Sequence, residues 1–267
     1  MAIKRLRADE LLVERGLVET RSQARAVILA GQVRSGTRVI DKAGYPLDPD
    51  AELTLVEAPR FVSRGGEKLE HALETFDLDV TALHCADFGA STGGFTDVLL
   101  QHGAAHVYAV DVGYGQLAYR LRGDDRVTVL DRTNARYLEA LPEPVDLVTI
   151  DVSFISLSLV LPAARRVLTT NGRVIALIKP QFEAGKERVG KGGVVRDHQV
   201  HRDVLRHVLD AAAEIGFRPL GLTASPITGP AGNVEFLVYL TRQEVEPADV
   251  STLIDAAMRS IPSKSST

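Results

Sequence analysis

Asp87-Phe88-Gly89-Ala90-Ser91-Thr92-Gly93-Gly94-Phe95-Thr96 follows a short apolar run and opens a helical pattern. Glycines at a strand-to-helix turn let the backbone approach a ligand closely. Asp111 ends the next apolar run about 20 residues later, where a carboxylate can accept hydrogen bonds from both hydroxyls of a ribose. A nucleoside cofactor belongs here. Two nucleotide readings fail on the residues: Phe95 stands where a phosphate-binding loop needs lysine, and the glycines do not keep the Gly-x-Gly-x-x-Gly spacing. S-adenosylmethionine, which has no phosphate to grip, is the cofactor this loop fits.

From this loop outward, apolar runs alternate with helical periodicity. Strands fall near 84–88, 106–111, 126–130, 146–151 and 173–178, and helices near 94–102, 115–121, 157–168 and 198–215. The alternation predicts an α/β fold with a doubly wound, mostly parallel, Rossmann-like sheet. Two further runs, 220–224 and 234–240, are joined without a helix and should therefore pair antiparallel. In open sheets of this kind, functional groups gather beyond the carboxyl ends of the strands. Asp151 ends the fourth strand, Lys179 ends the fifth, and Glu235 opens the last one, which starts at the same rim if it runs antiparallel. Lys68 can join them from a helix ahead of the sheet, whose Leu69, Ala72, Leu73 and Phe76 keep the spacing of a buried face. Two lysines and two carboxylates in one cleft balance charge, orient an amine and tune its acidity.

The basic end of the chain is its beginning. Net charge is −4 over 267 residues, yet residues 1–42 carry nine Lys and Arg against five Asp and Glu. Such asymmetry suits an anionic partner. Asp9 to Arg15 predicts a short helix stopped at Gly16. Thr20-Arg21-Ser22-Gln23 is a capping box opening a second helix, with Ala24, Val27 and Ile28 on one face and Arg21 and Arg25 on another. Residues 31–40 read as a hairpin turning at Ser35-Gly36, and 53–56 would add a strand.

With Arg15-Gly16-Leu17, Ser22-Gln23-Ala24 and Gly31-Gln32-Val33, these elements form a small α+β unit that resembles the S-four RNA-binding module. The resemblance implies RNA contacts from Lys4, Arg5, Arg7, Arg15, Arg21, Arg25, Arg34 and Arg38. Arginine suits the role because its planar fork grips phosphates and stacks on bases. Pro59 and Gly65-Gly66 punctuate the chain after this unit. The expected division is an RNA-binding module over 1–58, a linker over 59–65, a methyltransferase domain over 66–242 and an extension over 243–267, helical from Val250 to Ser260.

The larger part resembles the RrmJ/FtsJ-like ribose 2′-O-methyltransferases, whose Lys-Asp-Lys-Glu tetrad is matched by Lys68, Asp151, Lys179 and Glu235. Within that group, the stretches Val62 to Leu69, Gly89 to Thr96, Asp111 to Gln116, Asp131 to Arg136, Asp151 to Ser156 and Lys179 to Glu183 are similar to the hemolysin A (TlyA) family. The resemblance implies methylation of the 2′-hydroxyl of cytidine in ribosomal RNA, on the small subunit, the large one or both, with assembled subunits as the substrate. It also implies that Val112, Thr133, Asn134 and Asp151 join the loop residues, Gly89 to Phe95 with Asp87, around the cofactor. In that chemistry Lys179, kept near neutral by Lys68 and desolvation, would take the hydroxyl proton while Asp151 and Glu235 place the lysines. Phe154 would stack on a flipped base, with Arg132 on a phosphate, and Lys186, Arg188 and Lys191 of a glycine-rich loop would meet RNA.

Three other functions compete, one of them a non-catalytic RNA-binding module, which would be expected to have lost part of the tetrad or the glycine loop, and neither is lost here. An amino-group base methyltransferase wants Asn/Asp-Pro-Pro-aromatic where this chain has Asp151-Val152-Ser153-Phe154, and a C5 enzyme wants a nucleophilic cysteine, whereas Cys85 falls inside a strand. A membrane-active hemolysin wants apolar spans, but the richest apolar stretch, Val145 to Leu161, carries Asp146 and Asp151 and stops at Pro162. No signal-peptide pattern opens the chain and the one cysteine cannot pair internally, so a cytoplasmic protein is expected. His198 and His201 share a helix face without a third ligand and read as surface residues, so no metal is expected.

Overall fold

The computed structural model describes residues 5–56, 60–246 and 248–262. Lys4, Ala58 and Pro59 lie outside the described residues. The chain forms two compact units, Met1–Arg60 and Phe61–Thr267.

In the first unit, β1 (Leu6–Arg7) leads into α1 (Ala8–Glu14), followed by α2 (Arg21–Leu29). Thr20 Oγ1 accepts from Gln23 N at 3.2 Å and Gln23 Oε1 accepts from Thr20 N at 3.1 Å, so the capping box forms as its sequence predicts. Leu11, Leu12, Ala24 and Ile28 bury the inner faces of both helices together with Val33 and Ile40. The small sheet runs β3 (Arg38–Val39), β2 (Val33–Ser35), β5 (Thr54–Leu55), while β4 (Pro46–Leu47) pairs with β1. Ser35 pairs with Arg38, so the turn falls on Gly36 and Thr37, one residue beyond the expected place. A two-residue hairpin loop favours positive φ, and Gly36 supplies it at +57°.

In the second unit, α3 (Gly65–Thr75) precedes seven strands: β6 (His84–Phe88), β7 (His106–Val110), β8 (Val127–Leu130), β9 (Val145–Ile150), β10 (Leu168–Ile178), β11 (Arg218–Ala224) and β12 (Phe236–Thr241). Their spatial order is β11-β12-β10-β9-β6-β7-β8. β12 alone runs against its neighbours, antiparallel to both β10 and β11. The period of two along a strand feeds two cores. Val174, Ala176 and Ile178 of β10 join the core under α6 (Leu161–Val167), α8 (His198–Glu214) and α9 (Val250–Arg259). Ile175 and Leu177 join the opposite core under α3 and α4 (Gly94–Gln101). The result is a three-layer, Rossmann-like sandwich.

Three local readings change. The helix expected over 115–121 is only the single turn α5 (Tyr119–Arg122), because Gly113 and Gly115, the latter at φ +70°, keep the preceding chain irregular. The helix expected over 157–168 begins as a 3₁₀ turn at Leu157–Leu159 and ends at Val167. His201 is buried rather than at the surface, with its Nε2 3.2 Å from Val195 O.

Candidate active site

Close backbone approach builds the cofactor loop. Gly89 sits at φ +85°, and a Cβ there would lie 2.6 Å from Asp151 O, so the ends of β6 and β9 meet only because this residue is glycine. Asp151 N donates to Phe88 O at 2.9 Å and fixes the same junction. A Cβ on Gly94 would lie 2.4 Å from Ser63 Oγ, which brings the starts of α3 and α4 together. Asp87 is fully buried beneath the loop, where it accepts from Thr96 N at 3.0 Å, Thr96 Oγ1 at 2.7 Å and Thr149 Oγ1 at 3.2 Å. Burial lifts its carboxyl to about 7; the Thr96 hydrogen bonds oppose that rise and the charge of Asp151 adds to it. Asp111 accepts from Ser91 N at 2.8 Å and Gly113 N at 2.6 Å, which locks the tip of the glycine loop to the end of β7.

The four ionisable residues line one cavity of about 620 Å³, together with Asp87, Gly89 to Thr92, Gly94 and Phe95. They form two pairs. Lys68 Nζ lies 2.5 Å from Glu235 Oε2, with both side chains nearly buried. Lys179 Nζ lies 2.7 Å from Asp151 Oδ1 and donates to Ser153 Oγ at 2.8 Å. The lysines are thus matched each to its own carboxylate. Burying such charges is tolerable only with a partner this close. The antiparallel course of β12 delivers Glu235 to the rim where β9 and β10 end. Gly229 clears space for it, since a Cβ there would lie 2.4 Å from Glu235 Oε1.

Phe154 stands at the cavity, 90% exposed, with φ +63°. A bulky residue in the left-handed region is costly, and a large exposed aromatic gains little burial in return. Its ring lies 5.0 Å from that of Phe182. Glu183 ties the two loops together by accepting from Ser156 Oγ at 2.6 Å and Leu157 N at 2.8 Å. Residue-type reasoning missed Ser153, Glu183 and Asn233. Asn233 accepts from Val195 N and donates to Gly193 O, each at 2.9 Å, and so fastens the glycine-rich loop beside the cavity. The only signal for Ser153 and Glu183 was their place inside the quoted motifs.

Residues 61–242 match the model of the FtsJ-like methyltransferase family, and residues 6–53 match that of the S4 domain. The chain is 48% identical over 262 residues to the 16S/23S rRNA (cytidine-2′-O)-methyltransferase TlyA of Mycobacterium tuberculosis, covering 97% of this chain and 98% of that one. It belongs to the TlyA/hemolysin A family of FtsJ-like methyltransferases. A relative named Hemolysin A, from Brachyspira hyodysenteriae, is 42% identical over 88% of this chain and 99% of its own length. A solved structure from Streptococcus thermophilus, described as a candidate hemolysin, is 46% identical with a TM-score of 0.74, over 97% of this chain and 96% of that one.

Not every expected site residue of this FtsJ-like methyltransferase reaches the cavity. Gly93, Asp111, Val112, Thr133 and Asn134 lie outside its lining. Val112 is exposed, Thr133 Oγ1 donates to Asp131 O, and Asn134 caps a short turn by accepting from Arg136 N. Arg132 lies over the Tyr114 ring, 4.4 Å from its centroid, and outside the cavity lining that includes Phe154. Lys186, Arg188 and Lys191 are exposed; Arg188 pairs with Asp203, and Gly192 and Gly193 of the same loop line the cavity. In the first unit Arg5, Arg7, Arg15, Arg21, Arg25, Arg34 and Arg38 are all exposed. Arg15 bonds Pro49 O, and Arg38 lies 5.0 Å from the Tyr45 ring centroid. Among the described residues no helix is long and apolar enough to cross a membrane.

Proposed function

We propose that this protein methylates the ribose 2′-hydroxyl of cytidine in ribosomal RNA, using S-adenosylmethionine. The observation that carries the reading is the pairing of Lys68 with Glu235 and of Lys179 with Asp151 in one cavity with the glycine loop. The cavity volume lies within the range of small-molecule sites, and Gly89 and Gly94 line it, their missing side chains letting the loop pack closely on Asp151 and Ser63. Gly89 to Thr92, Gly94 and Phe95 would hold the cofactor, and Asp111, outside the cavity lining but bonded to Ser91 N, would meet the ribose where it extends past the loop tip. When bound, S-adenosylmethionine supplies an electrophilic methyl group and needs no metal for the transfer.

The chain's own residues do the rest. Once its own proton has passed to water, Lys179 receives the proton of the 2′-hydroxyl as that oxygen takes the methyl group and S-adenosylhomocysteine leaves, and it then releases the proton to water. Asp151 and Ser153 fix the direction of the Lys179 head group, so the hydroxyl meets one geometry instead of many; alignment of this kind can supply about 7 kcal/mol or more of the barrier reduction. Lys68 and Glu235, as a nearly dry pair, close the wall of the cavity without net charge. Phe154 stacks on the target base and keeps it out of its helix. The first unit supplies the grip on RNA. Ribosomal subunits in the cytoplasm are the expected substrate, in line with the named activity of the mycobacterial relative.

The test is incubation with methyl-labelled S-adenosylmethionine and, separately, small subunits, large subunits and deproteinised RNA. The expected result is label at a cytidine whose 3′ linkage resists alkali, lost in Lys179→Ala while cofactor binding persists. Label at an alkali-sensitive position would make it a base methyltransferase instead.

A further inference from the structure

Among the described residues of the first unit, the most buried carboxylate lies among arginines. Asp9 has a fully buried side chain on α1, yet three guanidinium groups converge on it. Arg7 Nε reaches Oδ1 at 2.9 Å, with its Nη2 3.2 Å from Oδ2. Arg21 Nη2 and Arg25 Nε share the same Oδ2 at 3.2 and 3.4 Å. Arg21 and Arg25, four apart on α2, present one face of that helix, so a single carboxylate joins the end of β1 to the side of α2. Gly44 makes room for this, since a Cβ there would lie 2.8 Å from Arg7 Nη1.

The arrangement is asymmetric. Asp9 is hidden, whereas the side chains of Arg7, Arg21 and Arg25 remain 46, 49 and 58% exposed. Their Nη1 groups have no hydrogen-bond partner among the described residues. Three long cationic side chains would otherwise repel one another and sample many rotamers, and a ligand would have to order each. A buried anion gathers them beforehand and leaves each of the three side chains about half exposed to solvent. That surface suits an oxyanion that accepts two or more N–H bonds at once, which is the geometry of a phosphodiester.

Resting on the RNA-directed reading above, we propose that Asp9 is a positioning residue which assembles Arg7, Arg21 and Arg25 into one phosphate-binding site for the RNA backbone. Glu10 provides the contrast. Its carboxylate lies 3.2 Å from Arg21 Nη2 but is 40% exposed, so it stands where a phosphate would compete with it. Two adjacent carboxylates of equal charge therefore have opposite effects on RNA affinity, which overall charge cannot produce.

The experiment measures binding of the full chain to purified 16S and 23S ribosomal RNA as a function of salt, for wild type, Asp9→Asn and Glu10→Gln, with thermal melting of each variant. Asp9→Asn removes a negative charge, and simple attraction would tighten binding. Preassembly requires the reverse: affinity lower by about tenfold at 0.1 M salt, and a slope of log K against log salt shallower by about one. Glu10→Gln should hold its affinity or gain up to about fivefold. If Asp9→Asn melts early, the Arg21→Gln/Arg25→Gln double variant decides, with a slope shallower by about 1.5 expected and an unchanged slope overturning the site. A folded Asp9→Asn that binds as tightly as wild type would overturn it, as would Glu10→Gln weakened in parallel. Wild type without salt-dependent RNA binding would overturn the RNA reading itself and this site with it.

Discussion

Lys68 and Glu235 are 167 positions apart in sequence and 2.5 Å apart in the cavity, both nearly dry. Removing one partner strands the other charge, so Glu235→Gln should cost about 3 kcal/mol in a denaturant titration and abolish methyl transfer. Adding Lys68→Met to it should restore most of the stability and none of the activity; if stability stays low, the loss came from packing around Glu235. The identities of the four ionisable residues were legible because strand ends can be read from apolar runs, and Lys179 before Pro180 marks such an end. The pairing was not. Which lysine meets which carboxylate depends on how α3 lies across the sheet, and no local pattern encodes that. The same limit hid Asp9, which reads as a helix-start acid until α2 folds back over it.

At the scale of elements, the buried Asp87 at the foot of α4 makes stability depend on pH. Its carboxyl is raised from 3.8 to about 7 by burial, so between those values the folded state holds a proton that the unfolded state has lost. Its contribution is complete below about pH 4, declines as pH rises through about 7, and is constant above. Unfolding midpoints of wild type should therefore fall from pH 5 to 8, with a shallower fall in Asp87→Asn. An equal slope in both would reassign the effect to another group. Many elements of the larger unit were legible because β12 and the 174–178 half of β10 are buried on both faces and read as continuous apolar runs. Helix α5 was not, since glycines at 113 and 115 outweighed a helical periodicity. β1 and β4, of two residues each, are too short to show any period.

Across the whole molecule the two units answer acid differently. The Arg7 guanidinium beside Asp9 holds that carboxyl at about 2, below its ordinary 3.8, with Arg21 assisting and burial opposing. The stabilisation it gives is present above about pH 4 and is lost as pH falls through about 2. Amide protection in α1 and α2 should drop over that window, where the Asp87 contribution to the larger unit no longer changes. Protection falling equally in both units would mean that Asp9 does not govern the acid response of the first. Two-unit organisation was legible from charge asymmetry and glycine-proline punctuation near residue 60, and the antiparallel final pair from its missing crossover. The spatial order was beyond reach, because nothing in a strand's own residues says that β12 slots between β10 and β11.

If the proposed chemistry holds, that insertion sets when the protein can first act. β11 has no neighbour in its sheet until β12 is made, and Glu235 arrives only with it, after all other tetrad members have been synthesised. On the proposed chemistry, a growing chain emerging from a ribosome carries most of a methyltransferase and none of its activity. By the same proposed chemistry, a premature stop before residue 235 would leave an inert fragment with the edge of β10 unpaired, a target for proteolysis and not a half-working enzyme loose among ribosomes.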